Sequence, residues 1–203
     1  NLMQDAAEER RVKSMTDNWD KDAKEPKQIN FTGRAIEGDK NAPVTIVAYS
    51  DYLCPYCRMA EANLVQLAEK YKGKVRIIFK SLPNESKPLS VAVAKYGTAG
   101  FMQDAEKGWK FHDALFADAD QIERNGDNAV KALAVKCGLD LKRLTADAAG
   151  TKVQERLAAD EAEAESFGIR GTPYFLVNDL LVRGAVPKEM FEEAILKALA
   201  LKE

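Results

Sequence analysis

Histidine occurs once in this chain and cysteine three times, and no apolar stretch approaches the roughly 20 uninterrupted residues that a membrane-crossing helix needs. A structural zinc site would have to recruit His112 and every cysteine, which argues against one. Charge of one sign is also lacking. The 30 basic and 32 acidic residues leave a net charge of −2, so nothing marks a surface for nucleic acid or another polyanion. No apolar secretory segment follows Asn1, so no signal peptide is present in this chain and a processed or truncated start is expected. What the 203 residues do contain is a 46% hydrophobic share, enough for a substantial core.

Two of the scarce cysteines stand together in Cys54-Pro55-Tyr56-Cys57, where the apolar run Val44 to Tyr49 gives way to a helical pattern. A pair spaced this way serves disulfide exchange, structural zinc, copper transfer or haem attachment. Haem attachment would put histidine directly after Cys57, where Arg58 stands. Two soft thiolates suffice for copper(I), so that role stays open.

Helical phase separates the two thiols. Ala60, Leu64, Leu67, Ala68 and Tyr71 recur at spacings of three and four, Pro55 suits a first helical position, and Gly73 suits a stop. Extending that stripe back reaches Cys57, which should face the core, while Cys54 lies at the helix entrance. Unpaired N–H groups and the positive end of the helix dipole favour a thiolate there. Cys54 is therefore the expected nucleophile and Cys57 the resolving thiol.

Val75 to Phe79 reads as a second strand, parallel to the first across the helix. Later, Tyr174 to Val177 and Leu180 to Val182 flank Asn178-Asp179 as a hairpin, and a helix follows from Pro187 with Met190, Phe191, Ala194, Ile195, Ala198 and Leu199 on one face. Strand-helix-strand followed by hairpin-helix is the thioredoxin plan. Between the halves, a stretch rich in alanine, charge and isolated glycines reads as several helices. The expected architecture is α/β: an N-terminal helical extension (1–27), a first thioredoxin part (28–83), a helical insertion (84–165) and a second thioredoxin part (166–203). The extension looks separable from the catalytic body. Leu2, Ala6, Val12, Met15 and Trp19 give it one weak apolar face that suits either a solvated helix or self-association.

Three stretches carry a resemblance to the DsbA-like family of thioredoxin-fold thiol-disulfide oxidoreductases. They are Val44 to Tyr52 running into the cysteine pair, Trp109-Lys110-Phe111-His112-Asp113-Ala114-Leu115-Phe116, and Gly168-Ile169-Arg170-Gly171-Thr172-Pro173-Tyr174-Phe175. The resemblance extends over about Ile29 to Leu199. It implies a cis Thr172–Pro173 bond, with that loop against the thiols as a substrate platform; Pro55, Tyr56, Thr172 and Pro173 would then support Cys54 and Cys57. It also implies cysteine-containing protein substrates, a periplasmic or otherwise extracytoplasmic setting, a redox partner protein in the membrane, no cofactor, and an oxidase direction. An oligomeric isomerase or reductase, joined through residues 1–27 as in some relatives, is the alternative on the same fold.

Two positions depart from that family. Ala48 stands where many relatives carry a buried acid, so proton transfer at Cys57 must use water or another group. No histidine lies between the cysteines, so a less extreme thiol pKa and potential are expected. Asp51 suits a local turn as well as it suits catalysis. The bland readings win elsewhere: His112 as a structural residue among aromatics, Cys137 as a small apolar filler before Gly138.

Overall fold

The computed structural model describes residues 2–202, with side chains from Ala6 to Lys202. The chain runs α1 (Leu2–Asp22), β1 (Glu37–Gly38), β2 (Val44–Ser50), α2 (Pro55–Lys70) and β3 (Val75–Ser81). A helical block follows: α3 (Pro88–Gln103), α4 (Ala105–Ala117), α5 (Ala119–Asn125), α6 (Asp127–Lys136), α7 (Leu141–Ala149) and α8 (Thr151–Ser166). It closes with β4 (Tyr174–Val177), β5 (Leu180–Arg183) and α9 (Lys188–Ala200). Among the described residues no helix is long and apolar enough to cross a membrane.

One sheet of order β1-β3-β2-β4-β5 organises these elements. The crossover through α2 makes β2 and β3 parallel, Val44 opposite Val75 and Ser50 opposite Ser81, because a helix returns the chain to the same sheet end. The hairpin β4–β5 turns at Asn178, whose positive φ of 51° asparagine tolerates better than most residues, and β4 lies antiparallel to β2. Strand β1 carries no alternating apolar pattern and covers only the far edge of β3, so its two residues gave no readable signal.

Alternation along β2 feeds two cores. Ile46 and Ala48 face α2 and α9, packing with Cys57, Leu64, Phe175 and Phe191, while Val47 and Tyr49 face the other way, toward Ala164 and Ile169. A polar seam ties α8 to that second face. Glu163 accepts hydrogen bonds from the Tyr49 hydroxyl at 2.5 Å, from the Asn30 N–H at 2.7 Å and from Lys80, whose side chain is wholly covered. Asp160, one turn earlier, accepts from Arg34. Buried charges persist only when partnered in this way.

The N-terminal helix is docked, not separate. Trp19 is 1% exposed and Met15 is buried, both in the main core, while Leu2's side chain lies outside the described residues. The reason is the free edge of β5. Trp19 Nε1 donates to the Leu181 carbonyl at 2.8 Å, Asp22 accepts the Leu181 N–H at 3.2 Å, and Arg11 donates to the Arg183 carbonyl at 2.7 Å. Met15 Sδ lies 3.2 Å from the Arg183 nitrogen. Side chains of α1 thus take the outward backbone groups that would otherwise invite another strand.

Candidate active site

Strand β2 ends at Ser50, and the loop Asp51 to Leu53 delivers Cys54 as the N-cap of α2 with Pro55 in the first turn. Asp51 holds that loop. Its carboxylate accepts the Leu53 N–H at 3.0 Å, the Asn84 N–H at 3.0 Å and the Ser90 hydroxyl at 2.7 Å, joining the thiol loop to the end of β3 and the start of α3. Tyr52 points the other way, into the helical block, where Gly97 makes room: a Cβ there would lie 2.6 Å from the ring. The tyrosine hydroxyl meets His112 Nδ1 at 3.1 Å, and His112 Nε2 meets Glu61 at 3.1 Å, one helical turn beyond Cys57.

The two sulfurs are unlike. Cys57 is buried and faces the core in phase with Ala60 and Leu64. Cys54 is partly exposed, and its sulfur accepts the Cys57 N–H at 3.4 Å, as an N-cap side chain does. The Cys57 thiol, donating to Cys54, is the largest cause that lowers the Cys54 pKa to about 6; the Cys57 and Tyr56 N–H groups and Thr172 help, against burial. Burial pushes the Cys57 thiol far up, and its hydrogen bond to Cys54 adds to this, with Ser50 opposing. Ala48 leaves no carboxylate at its place in the core, and the buried Ser50 hydroxyl is the side chain from β2 that acts on Cys57.

Thr172 and Pro173 lie directly across from the pair. Their peptide bond is cis, and the Thr172 carbonyl is 3.9 Å from Cys54 Sγ. Tyr56 and Met59, both more than half exposed, put apolar surface on the outer face of the first turns of α2. The structure therefore gathers Cys54, Pro55, Tyr56, Cys57, Thr172 and Pro173 into one place. Cys137 is elsewhere, at the C-cap of α6, a part-buried thiol that burial holds above its ordinary pKa. Among the described residues, one group has close metal-ligand atoms: Glu61, His112 and Asp113, within 4.8 Å of one another. Both nitrogens of His112 already have protein partners there, Tyr52 and Glu61.

Ser50, Glu61 and Ser90 were missed by sequence reasoning. Ser90 follows a helix start and Glu61 stands as a lone acid between two alanines, and each is buried against a partner distant in the chain, Ser90 on Asp51 and Glu61 on His112.

A thioredoxin family model matches residues 30–197. The chain is 32% identical over 166 residues to a Na(+)/H(+) antiporter NhaA 3 of Salinispora tropica, an alignment covering 81% of this chain and 24% of that protein. It thus spans about a quarter of the length of that curated relative. It is 27% identical over 187 residues to a probable disulfide bond formation protein D of Bacillus anthracis, covering 84% and 85% of the two chains. Among solved structures, a periplasmic thioredoxin-like protein from Salmonella enterica serovar Typhimurium superposes with a TM-score of 0.71 at 26% identity, covering 86% of this chain and 99% of that one.

Proposed function

This chain belongs to the thioredoxin family, and from that premise we propose that it exchanges disulfides with cysteine-containing proteins in the manner of a DsbA-like oxidase. The observation that carries the reading is the asymmetry of the pair: a reachable Cys54 with a lowered pKa at a helix entrance, above a Cys57 that burial keeps protonated. Such a pair attacks and leaves at one sulfur and resolves at the other.

In the oxidising direction, a substrate thiolate attacks Cys54 of the Cys54–Cys57 disulfide. A substrate–Cys54 disulfide forms, the Cys54–Cys57 bond breaks, and Cys57 takes up a proton. A second substrate thiolate then attacks the substrate sulfur of the mixed disulfide, forming the substrate's disulfide and releasing Cys54 as the thiolate its surroundings favour. Two electrons pass from the substrate to the pair, and a redox partner protein, in the membrane by family likeness, removes them again. The Thr172 carbonyl beside Cys54 and the exposed Tyr56 supply a backbone and an apolar surface for the substrate segment. An extracytoplasmic compartment fits this chemistry, since disulfides persist there, and the Salmonella protein it resembles is described as periplasmic.

The test is trapping. With Cys57→Ala, a disulfide-bonded substrate should accumulate on Cys54 as a mixed disulfide visible on non-reducing gels, whereas Cys54→Ala should give no turnover. Equal trapping by both variants would contradict the assigned roles.

A further inference from the structure

An open groove of about 830 Å³ begins at Thr172, and so at the nucleophile. One wall is the loop Leu82 to Asn84; the other carries Glu161 and Glu165 from α8, one turn apart on a single helix face. It runs into a smaller hollow of about 190 Å³ in which Glu161 is joined by Glu85, by apolar Leu157 and by Lys95, which makes no ion pair with either acid among the described residues.

The inner acids of α8 are already committed, Asp160 to Arg34 and Glu163 to Lys80 and Tyr49. Those facing the groove are not. Among the described residues no ion pair engages Glu85, Glu161 or Glu165. Burial first, then the like charges of Glu85 and Glu165, raise the Glu161 carboxyl above its ordinary pKa. Arg170 also borders the groove, yet it is exposed and pairs with none of them. A visiting cation would relieve this repulsion in a groove that opens at Thr172, beside Cys54.

We propose that Glu161 and Glu165 make the groove selective for protein substrates with a lysine or arginine close in sequence to the reacting cysteine. The inference rests on the disulfide-exchange reading above and adds a specificity to it. The same side chains disfavour substrate segments that are acidic at that position.

The test uses three dithiol peptides that differ only in one neighbour of the reacting cysteine: lysine, alanine or glutamate. Oxidation by the full chain is followed as kcat/KM. The lysine peptide should exceed the glutamate peptide by about fivefold, the size of one or two partly exposed ion pairs, with the difference in KM and shrinking at high salt. In the double variant Glu161→Gln, Glu165→Gln that ratio should fall close to one, and in Glu161→Lys, Glu165→Lys it should invert. The ratio within each variant cancels any general loss of activity. A wild-type ratio near one, or a ratio that survives both double variants, would overturn the proposal. Failure of the wild type to oxidise any of the three peptides would instead overturn the exchange reading on which it stands.

Discussion

Cys54 owes its character to neighbours within four residues and to Thr172 across the cleft. With a pKa of about 6, it should be alkylated by iodoacetamide with a midpoint near that pH, while Cys57 stays unmodified in the folded protein. Alkylation of both at equal rates would contradict the arrangement. The same shift has a stability consequence. A thiol lowered from about 8.5 in the unfolded chain to about 6 in the fold adds stability to the reduced protein as pH rises through that interval, and the contribution is lost as pH falls through about 6. Above about 8.5 the unfolded chain ionises Cys57 while the fold resists it, so that thiol then works in the opposite sense. The Tm of the reduced protein relative to Cys54→Ala should therefore climb between about pH 6 and 8.5; a flat difference would count against a stabilised thiolate. Much of this was legible from the sequence, because a helix start and its phase are local: Pro55 set the first turn and Ala60 and Leu64 set the inward face. Ser50, Glu61 and Ser90 were not: Ser50 reaches Cys57 only through the shape of the turn between β2 and α2, and Glu61 and Ser90 meet His112 and Asp51 far along the chain. The carboxylate of Asp51 reads as a turn residue, and it does bond Leu53 two residues on, but its bonds to Asn84 and Ser90 are long-range.

Elements carry signals of unequal range. Strands β2 and β4 announce themselves as apolar runs buried on both faces, and helices α2 and α9 by apolar period, each burying one face against the sheet. Helix α1 misleads for the same reason: its apolar face is thin, and what docks it is the burial of Met15 and Trp19 together with hydrogen bonds from Arg11, Trp19 and Asp22 to one strand edge. Charged α8 misleads likewise, for Asp160 and Glu163 resemble solvated residues until Arg34, Lys80 and Tyr49 arrive from elsewhere. The docking of α1 can be measured. Trp19→Ala removes a buried ring and the bond to Leu181 and should cost about 3 kcal/mol or more in denaturant unfolding. A cost below about 0.5 kcal/mol, the range of ordinary surface changes, would show that the helix does not stay on β5.

For the whole molecule, the fold places one sheet end, one helix entrance and one loop around a single exchangeable sulfur, and sets the helical block beside them with an acidic groove. The parallel crossover and the hairpin were readable from strand spacing, whereas the groove was not, because it exists only where α8 meets the loop after β3. The redox potential of Cys54–Cys57 gathers these effects into one number, since whatever stabilises the thiolate stabilises the reduced protein. A Cys54 pKa of about 6 lies between about 7 for thioredoxin and about 3.5 for the strongest oxidase. Equilibration with glutathione buffers should accordingly return a potential above about −270 mV and short of about −120 mV. A value at or below about −270 mV would contradict a pair built to accept electrons from protein thiols.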